Sequence, residues 1–135
     1  NATQTANDFV ALTDRAFTDL AVPPELYDIT TDEIAANLTA EVQTYVDQGY
    51  RLEGTSALLN VRPLAVDVTS ADSANISLEA CLDTSGSQVI DSSGSPVSGG
   101  GSERRAVTFE VRWQNDNGRI VATAFPGSGG DPECV

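Results

Sequence analysis

The amino-acid sequence predicts an α+β fold, with two N-terminal helices packed on a curved antiparallel sheet of about five strands. Apolar residues recur with helical spacing in two stretches, 9–20 and 34–46. From residue 50 onward, apolar and polar residues alternate, which is typical of strands that bury one face. The order of helices first and strands afterwards favours an antiparallel sheet built from hairpins. A length of 135 residues fits a single domain over 1–135.

The first helix is predicted from a capping box and an apolar stripe. Thr5 and Asp8 have the spacing of a capping box, with aspartate in the place of the usual glutamate. Pro23 and Pro24 end the helix, because proline cannot continue the hydrogen-bond ladder. The stripe between these signals consists of Phe9, Leu12, Ala16 and Leu20.

The second helix follows a short connector over residues 25–28. Thr30 and Glu33 form another capping box, and Gly49 lies where a C-cap glycine belongs. The apolar stripe between them is made of Ile34, Leu38, Val42, Tyr45 and Val46.

The alternating pattern then predicts the strands. Two strands are expected over 51–58 and 61–69, with breaks near Asn60 and Pro63, and a third over about 76–82. Residues 84–102 hold seven serines and five glycines, so we expect a flexible loop with at most a brief hairpin near 88–90 and 96–97.

Two longer strands complete the predicted sheet. They cover 106–113 and 119–125 and are joined by the Asn-Gly turn at 115–118. That turn lacks the twelve-residue calcium-loop pattern, so no metal site is expected there. Residues 126–135 form a C-terminal tail rich in glycine.

The charge disfavours nucleic acid and anionic lipid surfaces as partners. Twenty acidic residues against seven arginines give a net charge of −13. Such a field repels phosphate backbones and anionic lipid surfaces, so nucleic acid is not an expected partner. No apolar stretch is long enough to span a membrane.

The chain has no histidine and no lysine. A Ser-His-Asp triad, a Cys-His pair, an imidazole metal ligand and a lysine Schiff base are therefore excluded. The sequence offers no pattern for a cofactor, and none is expected.

The two cysteines favour an exported protein. Cys81 and Cys134 match neither a zinc pattern nor a CxxC motif, and an even number favours one disulfide in an oxidising compartment. Such a bridge would tie the C-terminal tail to the body of the domain. Because the chain begins at Asn1 rather than at a methionine, we expect a signal peptide upstream, with a lipid anchor as one form of it.

Three short stretches carry a resemblance to a known group of proteins. They are Cys81-Leu82-Asp83, residues 89–97, and Arg104-Arg105. Over about residues 30–125 the chain resembles small exported actinobacterial proteins of unknown function, often lipoproteins, with the cone-shaped fold of the nuclear-transport-factor-2-like superfamily. The resemblance implies that fold but little about activity, since the superfamily contains isomerases, cyclases and dehydratases as well as modules that only bind or dimerise.

An enzyme on this fold would need a carboxyl group inside the cone. The candidate carboxyl groups are those of Asp67 and Asp83. The candidate hydroxyl donor is Tyr45, and Tyr27 and Tyr50 are further candidates. The alternation of both aspartates with apolar neighbours favours solvent-facing positions instead.

Three hypotheses about function follow. The first is an exported, non-enzymatic binding or protein-interaction module of the cell envelope, acting on a protein partner or a small apolar ligand or forming a homodimer through the sheet. The second is a small isomerase or cyclase with an Asp/Tyr pair, and the third is a structural or accessory protein of a phage or mobile element.

Overall fold

The fold is α+β, with helices packed against antiparallel strands. The computed structural model describes residues 2–84, 86–97, 104–114 and 117–124. Within these ranges there are three helices followed by six strands: α1 Ala2–Asp19, α2 Pro24–Asp28, α3 Asp32–Gln48, β1 Arg51–Gly54, β2 Ala57–Ser70, β3 Ser73–Asp83, β4 Ser87–Ile90, β5 Arg104–Gln114 and β6 Asn117–Ala124.

The strands form two sheets rather than the single sheet predicted. Four of them pair antiparallel in the order β2-β3-β5-β6, and β1 pairs antiparallel with β4. The predicted strand 51–58 is interrupted at Thr55, whose backbone N–H donates to the carbonyl of Gly86 at 3.1 Å. This contact directs β1 toward β4, in a region where the sequence predicted a loop. The brief hairpin is present as well, with Ile90 bridging Pro96.

The predicted breaks near Asn60 and Pro63 are irregularities within one long strand. The register of β2 against β3 shifts between Leu59 and Arg62 and again between Pro63 and Ala65. Asn60 takes a φ of 55°, in the left-handed region that asparagine tolerates. Irregularities of this kind absorb extra residues and bend the strand without ending it, and proline is tolerated because β2 lies at an edge of the sheet.

Two helix starts differ from the predictions. The first helix already begins at Ala2, so Thr5 lies inside it and is buried rather than capping it. The third begins after Thr31, whose side chain accepts a hydrogen bond from the N–H of Ile34 at 3.3 Å. Thr30, the predicted cap, is buried and donates its hydroxyl proton to the carbonyl of Leu26 at 2.8 Å.

The helix ends follow the predictions more closely. Helix α1 ends at Asp19, before Pro23, and Gly49 caps α3 with a φ of 75°. The connector over 25–28 forms the single helical turn α2, which begins at Pro24 because proline suits the first turn of a helix.

The core lies between α1 and one face of the four-stranded sheet, which we call the inner face. Phe9 of α1 meets Phe109 of β5 edge to face, with ring centroids 6.1 Å apart. Because side chains alternate across a strand, the residues between the core positions point to the opposite, outer face. The buried inner-face side chains include Leu78, Ala80, Val107, Phe109, Val111 and Ile120.

One edge of the sheet is covered by the connection between α2 and α3. The N–H of Ile120 in β6 donates to the carbonyl of Ile29 at 2.7 Å, and the N–H of Thr31 donates to the carbonyl of Ile120 at 3.3 Å. Arg119 adds a bond from its guanidinium to the carbonyl of Thr30 at 2.9 Å. The other edge of the sheet is β2.

Candidate functional site

A cavity of about 240 Å³ lies between the two long helices and the inner face of the sheet. Its floor is apolar, because the inner-face side chains of β3 and β5 form it. Its polar groups come from α1, α3, β6 and the joint between β1 and β2. The lining consists of Phe9, Val10, Thr13, Asp14, Leu38, Glu41, Ser56, Leu82, Val107, Phe109 and Thr123.

Asp14 is fixed at this cavity by Ser56. The Ser56 N–H donates to one carboxylate oxygen at 2.7 Å, and the Ser56 hydroxyl donates to the other at 3.1 Å. Burial nevertheless raises the pKa of Asp14 above its ordinary value, because the two hydrogen bonds from Ser56 offset the loss of hydration only in part. The carboxylate is therefore held in place, and no positive charge of the described residues lowers its pKa.

Thr13 adds a second polar group to the cavity. Its hydroxyl oxygen is buried and has no hydrogen-bond partner among the described residues. A buried hydroxyl without a partner costs free energy that a suitable ligand atom would recover. Together with Asp14, Glu41, Ser56 and Thr123, it gives the cavity five oxygen-bearing side chains around an apolar floor.

The structure does not bring the predicted catalytic aspartates to this cavity. Asp67 is exposed on β2, opposite Asn75 of β3. Asp83 ends β3 next to the inner-face residue Leu82, so alternation places it on the outer face. Both belong to the side of the sheet that points away from the helices.

Tyr45 lies in an aromatic cluster rather than in the cavity. Its ring is 4.7 Å from that of Phe17 and 6.2 Å from that of Tyr50, measured between centroids. Burial, followed by the negative charge of Glu41, raises the pKa of Tyr45. Tyr27 is exposed at the surface. The predicted Asp/Tyr pair is therefore not assembled from these residues.

The predicted disulfide concerns a residue that the structure does not describe. Cys81 is buried on the outer face, beside Leu59 and Ala106. Cys134 and the tail 126–135 lie outside the described residues, as do 98–103 of the predicted loop. The pairing of Cys81 with Cys134 stays a prediction.

Sequence reasoning missed Asp14 and Thr13 because both flank the apolar stripe of α1. The stripe contains Phe9 and Leu12 but neither Thr13 nor Asp14. A usable signal was the i,i+4 spacing of Phe9 with Thr13 and of Val10 with Asp14, which places each polar residue one turn beyond an apolar one.

A second feature is an exposed apolar strip at the free edge of the sheet. Val66 and Val68 of β2 are 59% and 69% exposed, and their partners in β3 are Ile76 and Ala74. The inner face therefore extends beyond the area that the helices cover, and there Val66 and Val68 are open to solvent.

Among the described residues, no helix is both long and apolar enough to cross a membrane. No group of three or more acidic or cysteine side chains converges as metal ligands in that same part of the chain.

Comparisons with known proteins bear on the fold alone. No protein-family model and no curated protein matches this sequence. Among solved structures, the fold is similar to the intermembrane space region of the chloroplast protein ARC6, with a TM-score of 0.67 and 13% identity over 95% of this chain and 98% of that one. A de novo designed β-sheet protein aligns over 96% of this chain and 90% of its own with 16% identity, but its TM-score of 0.36 carries no argument. The likeness to the ARC6 region supports the α+β architecture and nothing finer.

Proposed function

We propose that this domain is a non-enzymatic binding module whose cavity between helices and sheet accepts an apolar group that carries a positive charge, presented by a partner protein. The observation that carries the proposal is the placement of Asp14, a carboxylate with a raised pKa at the wall of a cavity whose floor is apolar. A cation placed there would restore the electrostatic stabilisation that burial removes.

The size of the cavity favours a side chain over a larger ligand. Pockets for drug-sized molecules occupy about 300–1,000 Å³, and this cavity of about 240 Å³ falls below that range. An aliphatic side chain next to an amine would place carbon against Phe109 and Leu82 and nitrogen near Asp14. The orphaned Thr13 hydroxyl would supply one further hydrogen bond.

The charge of the whole chain supports the same class of partner. A net charge of −13 attracts cationic segments and steers their encounter with the surface. We therefore propose a basic, apolar segment of another protein as the partner.

The compartment and the fold family belong to the proposal as well. We propose that the domain is exported and works in the cell envelope, because two cysteines in a chain without a zinc or redox motif suit an oxidising compartment. The order of helices followed by a bent antiparallel sheet supports membership of the nuclear-transport-factor-2-like superfamily.

The test is a ¹⁵N–¹H NMR titration with three probes of one chain length: n-butylamine, 1-butanol and butyrate. We expect butylamine to shift the amide resonances of Val10, Thr13 and Thr123 and to bind more tightly than butanol, while butyrate does not bind. Asp14→Asn removes the charge but keeps an acceptor, so it should lower the affinity for butylamine toward that of butanol, with Glu41 still present in the lining. Asp28→Asn, at an exposed carboxylate of α2, is the matched control and should leave all three affinities unchanged. The proposal is wrong if butyrate binds as well as butylamine or if no lining resonance moves.

A small cone-fold enzyme is the second candidate, and one observation favours it. Asp14, rather than Asp67 or Asp83, has the raised pKa that suits a general base next to a carbonyl. No tyrosine lines the cavity among the described residues, so Thr13 would have to act as the hydroxyl donor. The test is whether the native domain catalyses exchange of the α-protons of 3-pentanone for deuterium. Exchange that is present in the native domain and absent in Asp14→Asn would support the enzyme over the binding module.

A further inference from the structure

Two of the seven arginines lie directly opposite each other on the outer face of the sheet. Arg112 of β5 pairs in register with Arg119 of β6, and the next pair toward the turn is Gln114 with Asn117. Directly opposed side chains have their Cβ atoms about 5 Å apart, and like charges in that relation destabilise a sheet. These four side chains line a surface pocket of about 370 Å³.

Among the residues that the structure describes, no acidic side chain forms an ion pair with Arg112 or Arg119. Glu110 lies two residues before Arg112 on the same face, but it accepts hydrogen bonds from the Ser77 hydroxyl at 2.8 and 2.9 Å. Asp67 lies in the same cross-strand row as Arg112, on the other side of Asn75. It is therefore two strands away, about 10 Å.

The contacts of the two arginines differ from those of three other arginines in the chain. Arg15, Arg51 and Arg62 each form an ion pair with a carboxylate. Within the described residues, Arg112 makes no hydrogen bond or ion pair, and Arg119 donates to the carbonyl of Thr30. In the described part of a protein with twenty acidic residues, these two opposed arginines therefore have no carboxylate as an ion-pair partner.

We infer that this pocket binds a small oxyanion, a carboxylate or a phosphate, between Arg112 and Arg119. Guanidinium groups present their N–H donors in a fork that matches both anions, and the amides of Gln114 and Asn117 offer further donors at the same pocket. The anion would cancel the repulsion between the two positive charges. A polyanion such as nucleic acid would instead meet the net charge of −13, so the ligand is a small soluble anion.

The inference is independent of the proposed function, because the pocket lies on the face of the sheet opposite the helix–sheet cavity. A result that refutes one of the two proposals therefore does not refute the other. The Nε–Hε resonances of the arginines report on the outer-face pocket, whereas the amide resonances of Val10 and Thr13 report on the cavity.

The experiment is a titration of the domain with inorganic phosphate, followed at the arginine Nε–Hε resonances. It is run at low ionic strength to limit screening, with sodium chloride at equal ionic strength as the reference. We expect phosphate to shift Arg112 and Arg119 selectively. In Arg112→Gln the affinity for phosphate, measured at the Arg119 resonance, should fall about fivefold. This is the decrease expected when one exposed charge-assisted contact is lost.

Two further variants separate charge from geometry. Arg51→Gln removes the same charge from β1, so it alters the overall field equally and should leave phosphate affinity unchanged. Arg112→Lys keeps the charge without the fork of N–H donors and should bind phosphate more weakly than the native domain.

A parallel titration with acetate distinguishes the two classes of anion. Tighter binding of acetate than of phosphate identifies a carboxylate ligand, and the reverse identifies a phosphate. Equal shifts with chloride, or an unchanged affinity in Arg112→Gln, would overturn the inference.

Discussion

Asp14 and Ser56 are joined by two hydrogen bonds across 42 positions of sequence. The Ser56 N–H and hydroxyl donate to the two oxygens of the same carboxylate, at 2.7 and 3.1 Å. The pair connects α1 to the point where the chain leaves β1 and enters β2. It holds a charged group at the wall of the cavity between helices and sheet, where α1 alone would leave it free to turn toward solvent.

The first prediction concerns the pH dependence of stability through Asp14. Because the folded state raises the pKa of this carboxyl above 3.8, the folded protein binds its proton more tightly than the unfolded chain does. The contribution of Asp14 to the free energy of unfolding is therefore largest below 3.8, falls as pH rises toward the raised pKa, and is constant above it.

Urea unfolding of the native domain and of Asp14→Asn, repeated across this window, measures the effect. Asparagine does not titrate, so the stability of Asp14→Asn relative to the native domain should rise as pH increases. Asp28→Asn serves as the control, and its stability relative to the native domain should not follow that trend. A difference between Asp14→Asn and the native domain that stays flat with pH would contradict the prediction.

The second prediction concerns the buried hydroxyl of Thr30. It donates to the carbonyl of Leu26 at 2.8 Å, and Thr30 is only 1% exposed. Thr30→Val keeps the shape and leaves that carbonyl with one bond fewer, so it should cost about 1 kcal/mol in the free energy of unfolding. Thr39→Val removes the same type of bond, to the carbonyl of Ala35 at 2.8 Å, from the exposed side of α3. It should change stability by less than about 0.5 kcal/mol, and equal costs at the two sites would refute the argument from burial.

The third prediction compares two glycines with the same backbone angle. Gly54 and Gly94 have φ values of 83° and 84°. A Cβ at Gly54 would run into the carbonyl oxygen of Gly86, while a Cβ at Gly94 would meet nothing within 4 Å. Gly94→Ala should therefore cost about 1 kcal/mol for the backbone angle alone. Gly54→Ala should cost about 1–3 kcal/mol more, because β1 and β4 must separate. Thermal unfolding of both variants decides the matter, and equal melting temperatures would rule out the clash.

The fourth prediction concerns self-association through the exposed strip of β2. If a homodimer forms through the sheet, as the sequence suggested, Val66 and Val68 are the most exposed large apolar side chains of β2 available to it. Val66→Thr with Val68→Thr should then abolish concentration-dependent association in sedimentation velocity while changing stability by less than about 0.5 kcal/mol. The salt concentration should be high enough to screen the repulsion between two chains of charge −13. Val46→Thr, at a valine of α3 that is 46% exposed, is the control and should not affect association.

The fifth prediction concerns the disulfide between Cys81 and Cys134. Intact mass after alkylation under denaturing, non-reducing conditions should show two unlabelled cysteines and a mass two protons below that of the reduced chain. A bridge closing so long a loop should contribute about 3–4 kcal/mol in the chain-entropy description. Labelling of both cysteines would remove the argument for an oxidising compartment.

The sequence by itself determined the order and type of the long elements. Apolar residues recur with helical spacing around Leu38 and alternate with polar ones around Phe109. Both patterns are local, and each indicates which face of its helix or strand is buried. Gly49 was identified as a helix cap for the same reason, since its left-handed φ is a local requirement.

Tertiary contacts decided what local patterns left open. Thr30 and Thr31 are both suitable N-caps for α3, and Thr31 is the one that caps it. Thr30 instead donates its hydroxyl proton to the carbonyl of Leu26 in α2, and its own carbonyl accepts a hydrogen bond from Arg119 of β6. The strand 51–58 divides because Thr55 bonds to Gly86, a partner that lies 31 positions along the chain. The helix–sheet cavity depends on the contact between Asp14 and Ser56. The outer-face pocket depends on the register that places Arg112 opposite Arg119. Such pairings arise from strand register and helix packing, and no residue's immediate neighbours in sequence encode them.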